Sequence, residues 1–343
     1  MADCLNKLFG NENTRTRLAG AIRCGTLPHA LLITGPDGSG KHTLARELAA
    51  AINCENKGAA GALPCHRCNT CQRIADGQFS DVKILTKEGS KATIGVEQIR
   101  DFREDMYLSP SEAEAKIYLI EDADALTGAA QNALLKVIEE PPEATYIFLL
   151  ASTTDSILST IKSRAQYIQM QRFSPEQIDG FLTASSHAAV SLKRDSRSEY
   201  DTLTVLCSGV IGAALGMLDE KSLKENSENY LLVTDLLSAV KRRAEFSKLY
   251  EALSALPSSR PDFKHSLELT LCALRDILTV KSGIKTTLLF FRSAEDAEEY
   301  SGLNAKRLMH IFEIINDALA DVDKNILIPT LITDIALSIS RTA

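Results

Sequence analysis

The sequence has no run of 18 or more consecutive apolar residues, so no stretch reads as a membrane-spanning helix. It also has no excess of positive charge: 38 Lys and Arg stand against 45 Asp and Glu, for a formal net charge of -7. A chain that binds nucleic acid unaided ordinarily carries a basic field, so any DNA contact has to come from a local patch or from partners. Arg100 and Arg103, on one predicted helix face, are the local candidates, though solvated charges explain them as well. Low-complexity tracts and internal repeats are absent. The opening MADCLNKLFGNEN lacks the apolar core of a secretory signal, so the expected location is the cytoplasm.

What is present is ordinary globular composition, 45% hydrophobic and 24% charged over 343 residues, enough for two or three domains. The first half alternates short apolar runs with helical patterns. HALLIT, DVKILT, AKIYLIEDAD, ATYIFLLAST and SRAQYIQMQRF read as strands. TRTRLAGAIRC, GVEQIRDFREDMYL and TGAAQNALLKVIEEPP read as helices, the last stopped by Pro141 and Pro142. Such alternation predicts a parallel sheet covered by helices on both faces, over residues 1–172. From residue 173 onward the apolar period is 3.6. A polar, serine-rich break is expected around Ser185–Ser198, and residues 223–343 are expected to form an all-helical domain.

ITGPDGSGKHTLARELAAAI carries the spacing of a phosphate cradle, G-x-x-x-x-G-K, between a strand and a helix. Gly35, Gly38 and Gly40 allow the backbone to approach an anion closely, with Pro36 and Ser39 in the same turn, and Lys41 supplies charge for outer phosphates. The next position should hold a hydroxyl for magnesium, and this chain has His42. Magnesium prefers hard oxygen ligands, so imidazole is a poor replacement. Thr43 cannot simply substitute, because adjacent helix positions point about 100° apart. The strand IYLI then ends in Glu121 and Asp122. Carboxylates at that end of a parallel strand suit a metal and a catalytic base, but the usual order is Asp then Glu. The inversion makes the base one methylene too short.

Cysteine is concentrated. Of eight, four fall in a C-x10-C-x2-C-x2-C pattern: Cys54, Cys65, Cys68 and Cys71. Four thiolates at short spacing suit tetrahedral zinc and leave no open position for catalysis, so the site reads as structural. His66, inside the cluster, would compete with its neighbours for space and is left out of the ligand set. Cys4, Cys24, Cys207 and Cys272 read as small apolar residues.

PHALLITGPDGSGKHT, the four-cysteine insertion, QNALLKVIEEPP, FLLASTT and IKSRA together resemble the bacterial DNA polymerase III clamp-loader family, a branch of the AAA+ ATPases. The resemblance covers residues 14 to about 218. It implies an AAA+ module (1–172) with the zinc module at 54–71, a helical lid (173–222) and an oligomerising collar (223–343). It adds Thr153 to the nucleotide-facing residues. It also implies that Ser163 and Arg164 form an arginine finger directed at a neighbouring subunit's ATP, with Ala165 where the family has cysteine. Implied partners are motor and delta subunits in a hetero-pentamer, the sliding clamp, and primer-template DNA through the assembly.

Two subunit types of that family carry the zinc module: an ATP-hydrolysing motor and the delta prime subunit, which often has a degraded nucleotide site. His42, the Glu121–Asp122 order and Gly212 resemble delta prime, Gly212 standing where motor subunits have a sensor arginine. ATP with magnesium is then a weak or absent ligand, and zinc the expected cofactor. The competing readings are a gamma/tau-like motor, and an autonomous zinc-containing DNA-binding or repair protein, against which the net charge argues.

Overall fold

The computed structural model describes residues 4–57, 61–89, 92–284, 286, 288–300, 302–324 and 326–342. It divides into two compact units, Met1–Gln171 and Arg172–Ala343. In the first, β1 (Ala30–Thr34), β2 (Val82–Leu85), β3 (Lys116–Ile120), β4 (Thr145–Ala151) and β5 (Gln166–Gln169) form one sheet in the order β2-β3-β4-β1-β5. Every pairing is parallel.

Side chains alternate across a strand, and here both faces are apolar. Leu31 and Ile33 of β1 join one buried cluster with Leu18 of α1 (Glu12–Arg23) and Leu44 and Leu48 of α2 (Lys41–Ile52). Ala30 and Leu32 join the other, with Leu134 of α5 (Gly128–Glu139) and Ile99 of α4 (Val96–Met106). A short α3 (Asn69–Ala75) precedes β2, and α6 (Ser159–Lys162) precedes β5. Because the strands are parallel, the ends of β1, β3 and β4 emerge on one edge. The phosphate loop, Glu121 and Ser152 follow those three strands, which brings distant parts of the sequence together.

The regular elements among the second unit's described residues are all helices: α7 (Pro175–Ser185), α8 (His187–Asp195), α9 (Arg197–Leu206), α10 (Ile211–Gly216), α11 (Glu220–Lys241), α12 (Phe246–Ser254), α13 (Arg260–Lys281), α14 (Ala294–Glu298), α15 (Ala305–Asp323) and α16 (Ile328–Arg341). The break expected around Ser185–Ser198 is instead mostly α8. Serine reads as a helix breaker, but Ser186 sits at the N-cap and accepts from the Ala189 amide at 3.3 Å, so it starts a helix. No described helix is long and apolar enough to cross a membrane.

Candidate functional site: a self-paired phosphate cradle, a cysteine knuckle and an exposed arginine

The cradle follows β1 without a break. A Cβ on Gly35 would lie 2.8 Å from both Met170 Cβ and Ser39 Oγ, and Gly40 has φ +92° with Leu8 Cδ1 at 2.9 Å. Both positions therefore demand glycine. Gly38, at φ 79°, completes the turn, with Pro36 beside it. Ser39 Oγ is buried and has no hydrogen-bond partner among the described residues, a donor that a bound anion would satisfy. The loop thus fits an anion.

Lys41 is only 3% exposed. Its Nζ donates to Gly35 O at 2.6 Å, Asp37 Oδ1 at 3.1 Å and Ser152 Oγ at 3.3 Å. Ser152 Oγ in turn donates to Asp37 Oδ1 at 3.1 Å. Burial alone would raise the Asp37 carboxyl, but Lys41 and Ser152 outweigh it and hold the group below its ordinary value. The charge an incoming phosphate needs is already engaged. Ser152 reaches Lys41, and Thr153, expected to face a nucleotide, lies exposed beside it.

His42 Nδ1 lies 2.9 Å from Glu121 Oε1. The two positions that would share a magnesium ion contact each other directly, and the donor set does not fit that ion. Asp122 adopts a left-handed backbone, φ 51°, and pairs with Lys87 at 3.2 Å. Asp124, which sequence reasoning did not single out, accepts from the Ser152 amide at 3.1 Å and ties the end of β4 to the acidic turn. Thr43 lines a small cavity together with His42, Lys7, Arg46, Glu47 and His66.

That cavity lies where α2 meets the cysteine module. Glu47 Oε2 and His66 Nε2 are 3.3 Å apart, yet both are buried and lack a hydrogen-bond partner, so the contact is poorly aligned. Burial pushes the Glu47 carboxyl up to about 7. His66 is thus turned toward Glu47.

The four sulfurs of Cys54, Cys65, Cys68 and Cys71 all lie within 4.8 Å of one another. Zinc–sulfur bonds of about 2.3 Å in a tetrahedron put sulfurs roughly 3.8 Å apart, so the cluster fits zinc after a small contraction. The Cys68 amide donates to Cys65 Sγ and the Cys71 amide to Cys68 Sγ, each at 3.4 Å, and Asn56 donates to Cys65 Sγ at 3.5 Å. Desolvation opposes ionisation of Cys65, but the Asn56 side chain, the Arg67 and Cys68 amides and the Cys54 thiol prevail and bring its thiol down to about 6. Burial pushes the thiols of Cys54 and Cys71 up.

Arg164 follows α6. Its Nε is 2.8 Å from Glu139 Oε1, at the end of α5, and Nη1 donates to Thr160 O at 3.1 Å and Ser163 Oγ at 3.2 Å. Ala165 is 7% exposed and packs in the core, so its position asks for a small apolar side chain, which alanine supplies as cysteine would. Arg100 pairs with Glu97 at 2.8 Å on its own helix. In the second unit, Gly212 lies in the first turn of α10.

A family model described as DNA polymerase III, delta subunit, matches residues 10–174. DNA polymerase III subunit gamma of Buchnera aphidicola subsp. Acyrthosiphon pisum is 32% identical over 242 residues, covering 70% of this chain and 64% of that one. Subunit tau of Bacillus subtilis is 30% identical over 331 residues, covering 90% and 56%. The chain therefore spans less than two thirds of these relatives' length. A crystal structure of a gamma-subunit-related protein from Thermotoga maritima aligns at 18% identity and a TM-score of 0.43, over 95% of this chain and 99% of that one. The family match begins and ends close to the limits of the first unit. Through that sheet module, with its loop and its cysteine insertion, the chain belongs to the bacterial DNA polymerase III clamp-loader family of AAA+ proteins.

Proposed function

We propose that the chain is a delta prime-like subunit of the clamp loader. It takes its place with motor and delta subunits in a hetero-oligomeric ring that loads the sliding clamp onto primer-template DNA. It turns over little or no ATP itself and offers Arg164 to ATP held by a neighbour. Residues 173–222 serve as lid and residues 223–343 as collar, and Cys54, Cys65, Cys68 and Cys71 hold a structural zinc.

The observation that carries this reading is the 2.9 Å contact between His42 and Glu121. In a hydrolysing site the residue after the loop lysine and the strand-end carboxylate hold magnesium between them. Here they hold each other. The acid in the base position, Asp122, is tied to Lys87, and Gly212 brings no charge to the lid. Three separate parts of the hydrolytic machinery are thus altered, while the arginine of the finger is retained. The names of the relatives, gamma and tau, favour a second reading, an ATP-hydrolysing motor subunit.

One pair of measurements decides between them. The isolated chain should turn over ATP far below about 1 per second, a rate ordinary for active enzymes. In a reconstituted complex, Arg164→Ala should slow hydrolysis at one neighbouring site by about a thousandfold or more and impair clamp loading. Assembly and zinc content should be unchanged, since losing a surface charge seldom costs more than about 0.5 kcal/mol. Turnover by the isolated chain at an ordinary rate would establish the motor reading. Unimpaired hydrolysis and loading by the mutant complex would leave the chain a scaffold without a finger.

A further inference from the structure

The guanidinium of Arg164 is only partly free. Its Nε lies 2.8 Å from Glu139 Oε1 in an ion pair that lacks the alignment of a hydrogen bond, and Nη1 donates to Thr160 O and Ser163 Oγ. Ser163 Oγ donates its own hydrogen to Thr160 O at 3.1 Å, so its lone pairs are available to Arg164. The two hydrogens of Nη2 have no partner among the described residues. A planar guanidinium held at Nε and at Nη1 turns Nη2 in one direction, and its two N–H groups suit a phosphoryl oxygen.

Glu139 is suited to do the holding. It is the last residue of α5, whose Leu134, Val137 and Ile138 are buried against the sheet. Glu140 departs from helical geometry ahead of Pro141, so the helix end is fixed in place. A carboxylate in the last turn of a helix runs against the helix dipole, and a cation beside it relieves the conflict. Arg164 is that cation. With side chains 40% and 46% exposed, the pair adds little to stability, so its consequence is orientation.

We propose that Glu139 is the positioning residue of the arginine finger, fixing the guanidinium so that Nη2 faces the neighbouring subunit's phosphate. The proposal rests on the finger reading of Arg164. Losing the tether frees a long, flexible side chain, and a misplacement of about 1 Å can cost roughly a hundredfold in rate.

The test uses the reconstituted clamp-loader complex containing the full chain, with DNA-stimulated ATP hydrolysis as the readout. Glu139→Ala should lower kcat at the neighbouring site about tenfold or more and leave KM for ATP unchanged, because the finger acts on the transition state. Glu139→Gln keeps the length of the side chain and loses its charge, so it should cost about as much as Glu139→Ala. Arg164→Ala serves as the control and should cost more than Glu139→Ala. A faster Glu139→Ala complex would mean that the carboxylate restrains the finger, and the proposal would be wrong. It would also be wrong if Glu139→Ala matched the wild type while Arg164→Ala was slow, and the finger reading would stand. A Gln variant as fast as the wild type would overturn the role of the carboxylate charge. No loss with Arg164→Ala would remove the finger reading itself, and Glu139 with it.

Discussion

The two ends of α2 meet ligands in opposite ways. At its N-terminal end the cradle's charged groups are paired within the chain, Lys41 with Asp37 and His42 with Glu121. At the other end, just beyond Ile52, four sulfurs converge with only weak N–H donors around them, and burial opposes ionisation of Cys54 and Cys71. A cation would satisfy that second group at once, whereas the side-chain charges of the first are already paired and the Ser39 hydroxyl is left over. Electrostatics is saturated at one end and incomplete at the other. The shape of a ligand site can therefore outlast the need for the ligand, and what distinguishes the two cases is whether side chains of the same protein have taken over the ligand's contacts.

Metal removal should give the largest contrast. Cys71→Ser, or exhaustive chelation, should abolish about one zinc per chain and destabilise the first unit by more than about 4 kcal/mol, because a structural zinc's binding energy is folding energy. Withholding magnesium should leave stability unchanged. Metal analysis and chemical denaturation with and without chelator check both halves; zinc-free protein of undiminished stability would end the contrast.

A smaller effect is expected at the seam between the two ends, where Glu47 meets His66. Its folded-state value, raised to about 7 from an ordinary 4.5, means that the folded chain retains a proton that the unfolded chain releases. Stability should therefore fall as pH rises from about 4.5 to 7 and stay reduced above that, by on the order of 2 kcal/mol. Glu47→Gln removes the effect. Urea denaturation of the zinc-loaded protein should show the variant gaining on wild type between pH 6 and pH 8, and parallel profiles would refute the assignment.

The smallest effect belongs to Asp37. Its side chain is 89% exposed, so its hold on Lys41 is screened by solvent. Asp37→Asn should raise affinity for nucleotide only about three- to tenfold, measured by titration with a fluorescent ADP analogue without magnesium. An unchanged affinity would show that the pairing does not guard the cradle.

Much of this was legible in the sequence, because the signals are local. The alternation of apolar runs with helical periods predicted a parallel sheet, and the five strands fall where those runs are. The glycine spacing located the cradle and the cysteine spacing located the cluster. Where local signals competed, the reading failed. Serine pointed to a break where Ser186 caps a helix. Asp37, Asp124 and Glu139 lie inside quoted motifs but at positions with no role of their own there, and their partners Ser152 and Arg164 are distant in sequence.

By itself, then, the sequence determined the elements, the glycine-bounded loop, and the presence of His42, Gly212 and the Glu121–Asp122 order. These follow from backbone sterics and side-chain chemistry within a few residues. Only the tertiary structure decided what each charged group meets. Ser152 reaches Lys41 across 111 positions of chain, and His42 reaches Glu121 across 79. Those meetings depend on β4 lying between β1 and β3, with parallel strands delivering their carboxyl ends to one edge. Contact between side chains is set by sheet order and rotamer, neither of which is encoded in the spacing of any one motif.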